Sequence, residues 1–206
     1  MKLQQVKIGE MEITIPAYYG EMKAQPDDPE NTKVFAVCSE HTICFIRIYT
    51  IEEGEAMPLN QDAVIQGIHD CLAENQGLIQ VECGRNYIYS IVKTHRGEMG
   101  GVQYTLTLDM KSDGGILHVQ GFFDEDGMTG IRDTMVLELC YREGLVGKED
   151  DFFCGWMSDP YDANYKKGLL MNLSEREEYD EMFPDFPLSL CREFARTLVA
   201  GKGKSA

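Results

Sequence analysis

The chain has 206 residues, of which 43% are apolar and 26% charged, and its formal net charge at pH 7 is −16. The length suits one domain with an appendage, and the composition is that of a globular protein. The excess of acids opposes binding to nucleic acid or to an anionic membrane, because affinity for phosphates comes from lysine and arginine. We therefore expect neither of these as a partner.

The seven cysteines indicate a reducing compartment. They are odd in number, widely spaced and mostly within apolar runs, which is typical of small buried side chains rather than of a disulfide framework. The start of the chain has no apolar stretch that resembles a signal peptide, and no segment approaches the roughly 18 apolar residues of a membrane span. We expect a cytoplasmic protein that does not enter a membrane.

The first part of the chain predicts strands and one helix. Strands are expected at 6–8 and 11–15, joined at Gly9-Glu10, and again at 34–38 and 43–49. A helix is predicted over 60–76, because Asn60 can cap it and Gly77 lies just beyond it. Its apolar stripe comprises Val64, Ile65, Ile68, Cys71 and Leu72, the spacing of a helix that lies on a sheet.

Four further strands are predicted over 78–83, 87–94, 102–110 and 116–123. The third of them alternates apolar and polar residues, which indicates a sheet with one wet face. A second helix is expected over 129–142, with Ile131, Met135, Leu139 and Arg142 on one side. Runs of strands interrupted by only two helices predict an α+β fold, a mostly antiparallel twisted sheet with two flanking helices.

The order of these elements resembles the PsbP-like fold family over about residues 11–141. The resemblance rests on that order, on the entry into the first long strand at 13–16 and on the exit from the last strand at 121–125. The family includes an extrinsic photosystem protein and an import factor that binds a Ran-type GTPase. Its members mostly bind other proteins and share no active site, so the resemblance implies binding rather than catalysis.

The last part of the chain has a different character. We predict a division into an α+β sheet domain, residues 1–147, and a helical appendage, residues 148–206, packed on or near it. The sequence 174–177 fits a capping box, which predicts a short helix from Ser174 to Phe183. Ser189 can cap a last helix whose apolar stripe is Cys191, Phe194, Ala195, Leu198 and Val199.

No catalytic or ligand-binding motif is present. The four histidines are dispersed and no Cys-x-x-Cys occurs, so neither a zinc site nor a paired nucleophile and base is predicted. We assign no catalytic residue, cofactor or metal. The alternative is an enzyme or small-ligand carrier with a pocket between sheet and helices, for which His95, His118 and Asp124 are the candidate polar residues.

The leading hypothesis is a protein-interaction module with an acidic, aromatic-rich surface and a basic partner. Aromatic side chains beside acids are typical of binding hot spots, and such residues cluster in the appendage. The candidate partner-binding residues are Trp156, Asp159, Tyr161, Asp162, Tyr165, Tyr179, Asp180 and Phe183. Two other hypotheses stay open: the aromatic side chains hold the appendage on the sheet, or the appendage mediates self-association.

Overall fold

The structure is a computed structural model that describes residues 2–97, 100–112, 114–149 and 152–201. Its strands up to the second helix are β1 (Leu3–Ile8), β2 (Met11–Pro16), β3 (Gly20–Met22), β4 (Lys33–Cys38), β5 (Thr42–Ile51), β6 (Gln76–Cys83), β7 (Tyr87–His95), β8 (Val102–Ser112) and β9 (Gly115–Glu125). Within the described residues, β3 to β9 form one antiparallel sheet in the order β3-β4-β5-β9-β8-β7-β6. The α+β prediction is confirmed.

The predicted hairpins are present. β1 pairs with β2 across the turn at Gly9, and β4 pairs with β5. The β1–β2 hairpin is a separate two-stranded sheet, and its apolar side chains join the core on one face of the main sheet.

Helix α1 (Gln61–Cys71) lies against the opposite face of the sheet and is shorter than predicted. Its cap is Asn60, whose side chain accepts a hydrogen bond from the Ala63 N–H at 3.0 Å. Gln76 and Gly77 belong to β6, so the expected extension to 76 is wrong. Glycine at position 77 lets the backbone of Leu169 approach β6 closely, since a Cβ there would lie 1.6 Å from the Leu169 carbonyl oxygen.

Helix α2 (Ile131–Arg142) buries Arg132, Val136 and Cys140. Of the predicted face, Ile131 and Leu139 are partly buried against the second core, whereas Met135 and Arg142 are exposed, so that half of the prediction is wrong. The buried face packs on residues from 173–186 in a second, smaller core. Because Arg132 occupies one of the buried positions of α2, the buried face does not show as an apolar stripe in the sequence.

Helix α3 (Pro187–Gly201) packs across β2, β8 and β9 on the main core face. Its predicted stripe is confirmed: Cys191, Phe194, Ala195 and Leu198 are buried, and Val199 is partly buried against them. Ser189 lies inside the helix and is buried, so its predicted role as a cap is wrong. The main core is thus closed by the β1–β2 hairpin and α3 together.

Between α2 and α3 the described chain is mostly irregular. It contains the short strands β10 (Gly147–Glu149), β11 (Phe152–Cys154), β12 (Met157–Ser158) and β13 (Met171–Asn172), and 3₁₀ helices at Leu173–Glu175 and Glu177–Met182. The capping box involves Asn172 and Glu175, so the box predicted from Ser174 is wrong in register. The Ser174 hydroxyl donates to Asp133 instead. The division between residues 147 and 148 stays a prediction.

All seven cysteines lie in the described residues as free thiols. In the described part of the chain, no helix combines the length and the apolar character needed to cross a membrane.

Candidate functional site: a groove between α1 and the sheet

A groove of about 470 Å³ opens between α1 and the sheet face formed by β7 and β8. Its lining is apolar except for one amide, one hydroxyl and one thiol. The lining residues are Met57, Pro58, Ala63, Val64, Gly67, Ile68, Cys71, Leu72, Gln76, Val92 and Thr105. This volume lies in the range of about 300–1,000 Å³ that is usual for ligand-binding pockets.

The groove is open because α1 fills the space beneath it incompletely. Val64 is the one buried residue of α1, whereas Ile65, Ile68 and Leu72 are only partly buried. Gly67 lies at the centre of the lined face, and a Cβ placed on it would meet no atom within 4 Å. A larger side chain at this position would therefore extend into the groove without a clash at its base.

One end of the groove is closed by a strap, which we define as residues 52–58. The Met57 N–H donates to Asp109 Oδ2 at 2.7 Å, and Lys111 Nζ lies 2.7 Å from Glu53 Oε1. The hydrogen bond from the Lys111 ammonium to Glu53, together with the positive charge of Lys111, lowers the pKa of the Glu53 carboxyl. Asp109 is buried, and its other oxygen lies 2.6 Å from His118 Nδ1. The carboxylate thus fixes the strap and orients the imidazole at once.

The rim of the groove is acidic. Exposed carboxylates occur along the strap and around the last turn of α1. They are Glu52, Glu53, Glu55, Asp70 and Glu74, and each is close in the chain to a residue of the lining. Asp62 is also exposed, but the helical repeat places it on the side of α1 opposite the lining residues. We infer from this placement that negative charge borders the apolar floor.

Four of the predicted partner-binding residues form a clasp, which we define as residues 159–165, on the β6 side of α1. Asp159 Oδ2 lies 2.9 Å from His69 Nε2, and its Oδ1 accepts hydrogen bonds from the Tyr161 and Asp162 N–H groups. Tyr165 stacks on His69 with 4.0 Å between ring centroids, and its hydroxyl donates to the His69 carbonyl. The clasp therefore holds α1 from the side away from the groove.

Tyr161 reaches from the clasp to the edge strand β6. Its hydroxyl accepts from the Val81 N–H at 2.5 Å and donates to the Val81 carbonyl at 3.2 Å. Burial raises the pKa of this phenol, and the bond from Val81 opposes that change. Tyr161 as a whole remains 38% exposed, and the neighbouring Asp162 is exposed.

The other four predicted residues belong to the second core beside α2. Tyr179 and Phe183 are buried there and Trp156 is partly buried. The hydrogen bond between the Tyr179 hydroxyl and Cys140 Sγ, with burial, raises the pKa of Tyr179 to about 12. Asp180 accepts from Arg132 at 3.0 Å and from Arg192 at 2.9 Å. The structure thus separates these residues from the clasp.

The residues of the alternative enzyme hypothesis have different neighbours. His118 contacts Asp109, His95 Nδ1 accepts from the Gly97 N–H, and Asp124 pairs with Arg96. Among the described residues, no three His, Cys, Asp or Glu side chains come together as ligands for a metal ion.

The alternative hypothesis placed a pocket between the sheet and the helices, but sequence reasoning identified neither the residues that line the groove nor the buried pair of Lys93 and Glu175. A signal for Glu175 was present, because Asn172 and Glu175 also have the spacing of a capping box. The groove had no such signal. The apolar residues of α1 that line it have the spacing of any amphipathic helix on a sheet. A helix that leaves a groove differs from one that packs tightly only in how far these residues are buried.

Comparison with known proteins gives distant likenesses of fold. Neither a protein-family model nor a curated protein sequence matches the chain. The Ran-binding protein Mog1p of Saccharomyces cerevisiae aligns with 67% of this chain and 84% of its own, at 9% identity and a TM-score of 0.44. A Pseudomonas aeruginosa protein of unknown function aligns with 70% of this chain and 94% of its own, at 10% identity and a TM-score of 0.35. At these values the likenesses assign no family or function.

Proposed function

We propose that the protein is a cytoplasmic interaction module that binds an apolar segment of a basic protein in the groove beside α1. The observation that carries this proposal is an apolar groove with an acidic rim. Burying apolar side chains of a partner supplies affinity, at roughly 25 cal/mol for each Å² removed from water. The partner's chemistry is then an apolar anchor flanked by lysine or arginine.

The charge of the chain supports the same partner. The net charge of −16 attracts a basic segment over long range, and the rim carboxylates orient it on the groove. Complementary charge mainly accelerates association and selects among partners. Because exposed charges are screened by salt, we expect binding to weaken as ionic strength rises.

The clasp has a positioning role in this proposal. It fixes α1 through His69, and the helix in turn forms one wall of the groove. Tyr161 and Asp162 remain candidates for direct contact with a partner, because both are exposed. The remaining four candidates would affect partner binding only indirectly, through the second core that supports α2. They are Trp156, Tyr179, Asp180 and Phe183.

Gly67 offers a test that leaves the fold intact. We expect Gly67→Leu to fill the groove and to weaken binding of a synthetic peptide with leucines between lysines by about tenfold or more. Gly67→Ala is the matched control. It should keep binding and should stabilise the helix by about 0.5–1 kcal/mol. Fluorescence anisotropy gives the affinity and thermal denaturation gives the stability.

Two comparisons make this test decisive. A peptide with glutamates in place of the lysines should bind much more weakly than the basic peptide. Equal affinity of the Gly67→Leu and Gly67→Ala proteins for the basic peptide would place binding outside the groove and refute the proposal.

A small-ligand carrier is the second candidate function, favoured by the apolar lining and the volume of about 470 Å³. The acidic rim suits a neutral or cationic apolar molecule better than a fatty-acid anion. Native mass spectrometry of the protein purified from cells would show a copurified small molecule. Its presence in the Gly67→Ala protein and loss from the Gly67→Leu protein would favour this candidate.

A further inference from the structure

The floor of the groove continues beyond α1 as a row of directly opposed side chains across the sheet. Val92 and Thr105, which both line the groove, are cross-strand partners, and Thr105 is in turn the partner of Phe122 in β9. Phe122 is opposite Phe45 in β5, and we call these two residues the aromatic pair. Because neighbouring strands lie about 4.8 Å apart, the aromatic pair begins within roughly 10 Å of the groove.

The aromatic pair lies on the same face of the sheet as the groove. Cys44, Ile46 and Phe123, which flank the pair along β5 and β9, belong to the main core. Successive side chains of a strand point to opposite faces, so Phe45 and Phe122 point away from that core. Both are only partly buried, and neither belongs to any of the three apolar cores of the described residues. The apolar floor of the groove therefore extends past α1 onto an open part of the sheet.

A loop rich in acids borders the far side of this open face. It comprises residues 24–32, which include three acids and no base, and we call it the acidic loop. Asp28 Oδ1 in this loop lies 3.4 Å from Arg47 Nη1. Arg47 is two residues from Phe45 in β5 and hence on the same face. The contact therefore places the acidic loop beside the aromatic pair.

Negative charge is in excess at both ends of this apolar path. Several basic side chains near the path are already paired with acids: Arg47 with Asp28, Arg96 with Asp124, Lys111 with Glu53 and Lys33 with Glu21. At the far end Asp27 and Glu30 are exposed in the acidic loop and outnumber Lys23, which precedes it. At the near end are the carboxylates of the groove rim. A basic segment would meet complementary charge along the whole path.

From this continuity and this charge we propose that the basic segment bound in the groove continues across the open face. A second apolar residue of the segment packs on the aromatic pair, and a lysine or arginine beyond it lies beside the acidic loop. This inference rests on the proposed function and adds the chemistry of the partner, which is two apolar anchors roughly 10 Å apart followed by a base. That distance corresponds to about seven residues of a helix or three of an extended segment.

Fluorescence anisotropy with three basic peptides tests the second anchor. One peptide has a single leucine among lysines, and the others have two leucines, three or seven residues apart. We expect one of the two-anchor peptides to bind about tenfold or more tightly than the one-anchor peptide. Phe122→Ala should remove this gain and leave the affinity for the one-anchor peptide unchanged, which also shows that the variant is folded. Leu3→Ala is the control, since Leu3 is exposed in β1 of the separate hairpin and should preserve the gain.

The acidic loop is tested by removing its exposed charges. The double variant Asp27→Asn, Glu30→Gln should bind the better two-anchor peptide about two- to fivefold more weakly at low salt. The matched control is Glu10→Gln, Glu12→Gln, which removes two exposed charges from the β1–β2 hairpin and should change the affinity less. Equal effects of the two double variants would overturn the placement of the base beside the acidic loop.

The outcomes separate this inference from the proposed function. Failure of Gly67→Leu to weaken binding of any peptide would refute the groove as the binding site, and this inference with it. If Gly67→Leu weakens binding but neither two-anchor peptide binds more tightly than the one-anchor peptide, the groove alone holds the segment. The proposed function then stands and the second anchor is refuted. A gain that persists in Phe122→Ala would refute the second anchor as well.

Discussion

Lys93 and Glu175 form a buried ion pair that joins the sheet to the segment before α3. Lys93 Nζ lies 2.8 Å from Glu175 Oε2, and the Tyr104 hydroxyl donates to Glu175 Oε1 at 2.9 Å. The Asn172 N–H donates to the same carboxylate at 2.7 Å. Both charged groups are almost completely buried. A carboxylate with this many donors is stable in the interior, but it becomes costly when one partner is lost.

We expect Glu175→Gln to destabilise the protein by about 3–5 kcal/mol, because it leaves the Lys93 ammonium buried without its counter-charge. Urea denaturation followed by circular dichroism gives the free energy of unfolding. Glu178→Gln is the control, since Glu178 is exposed and should change stability by no more than about 0.5 kcal/mol. If Glu175→Gln and Glu178→Gln lowered the free energy of unfolding by similar amounts, the buried ion pair would not stabilise the protein more than an exposed charge does.

At the scale of elements, the outer strand β6 is protected by side chains and loop backbone rather than by another strand. Tyr161 satisfies both the N–H and the carbonyl of Val81, and the Leu169 N–H donates to the Gln76 carbonyl at 2.7 Å. Unpaired edges invite pairing with other chains. The clasp and the following loop therefore block an edge that would otherwise attract a strand.

Tyr161→Phe tests this protection. The substitution keeps the ring and removes the hydroxyl, so we expect a loss of about 1 kcal/mol of stability and faster hydrogen exchange at the Val81 amide. Exchange followed by NMR measures the second effect residue by residue. Exchange at Leu108, within the interior strand β8, serves as the internal reference. Unchanged exchange at Val81 would mean that the phenol does not protect the edge.

The sequence predicted the elements better than their packing. Period-two alternation and turn residues located β4 to β9, because these signals are local. The face of α2 could not be read, since Arg132 is buried through partners at Ser174, Ser189 and Asp180 that lie more than forty residues away. The clasp residues were found as a cluster, but their contacts with His69 and Val81 depend on tertiary structure.

At the scale of the whole molecule, phenol groups connect most parts of the structure. Of the ten tyrosines, eight have a raised pKa: Tyr18, Tyr19, Tyr87, Tyr89, Tyr104, Tyr161, Tyr165 and Tyr179. Burial is the largest cause for Tyr19 and Tyr104. A hydrogen bond to Glu82 is the largest cause for Tyr87, whose pKa rises to about 12.

These shifts predict cooperative unfolding in alkali. A phenol whose pKa is raised by folding contributes stability that is complete below the unfolded value of about 10 and is lost as the pH rises through the folded value. We therefore expect stability to fall from about pH 10 upward, with most tyrosines ionising only as the chain unfolds. Ultraviolet absorbance of phenolate and near-ultraviolet circular dichroism should change together. Ionisation of most tyrosines near pH 10, with the near-ultraviolet signal intact, would contradict the expectation.

The position of α3 has a consequence for synthesis of the chain on the ribosome. The β1–β2 hairpin is made first, the sheet next, and α3 (residues 187–201) only afterwards, yet hairpin and α3 cover the same core face. While the ribosome is translating the intervening residues, the apolar side of the emerging sheet is covered by the β1–β2 hairpin but not yet by α3. Compaction of that face must wait until α3 leaves the exit tunnel, so the nascent chain passes through an interval in which chaperones can bind it.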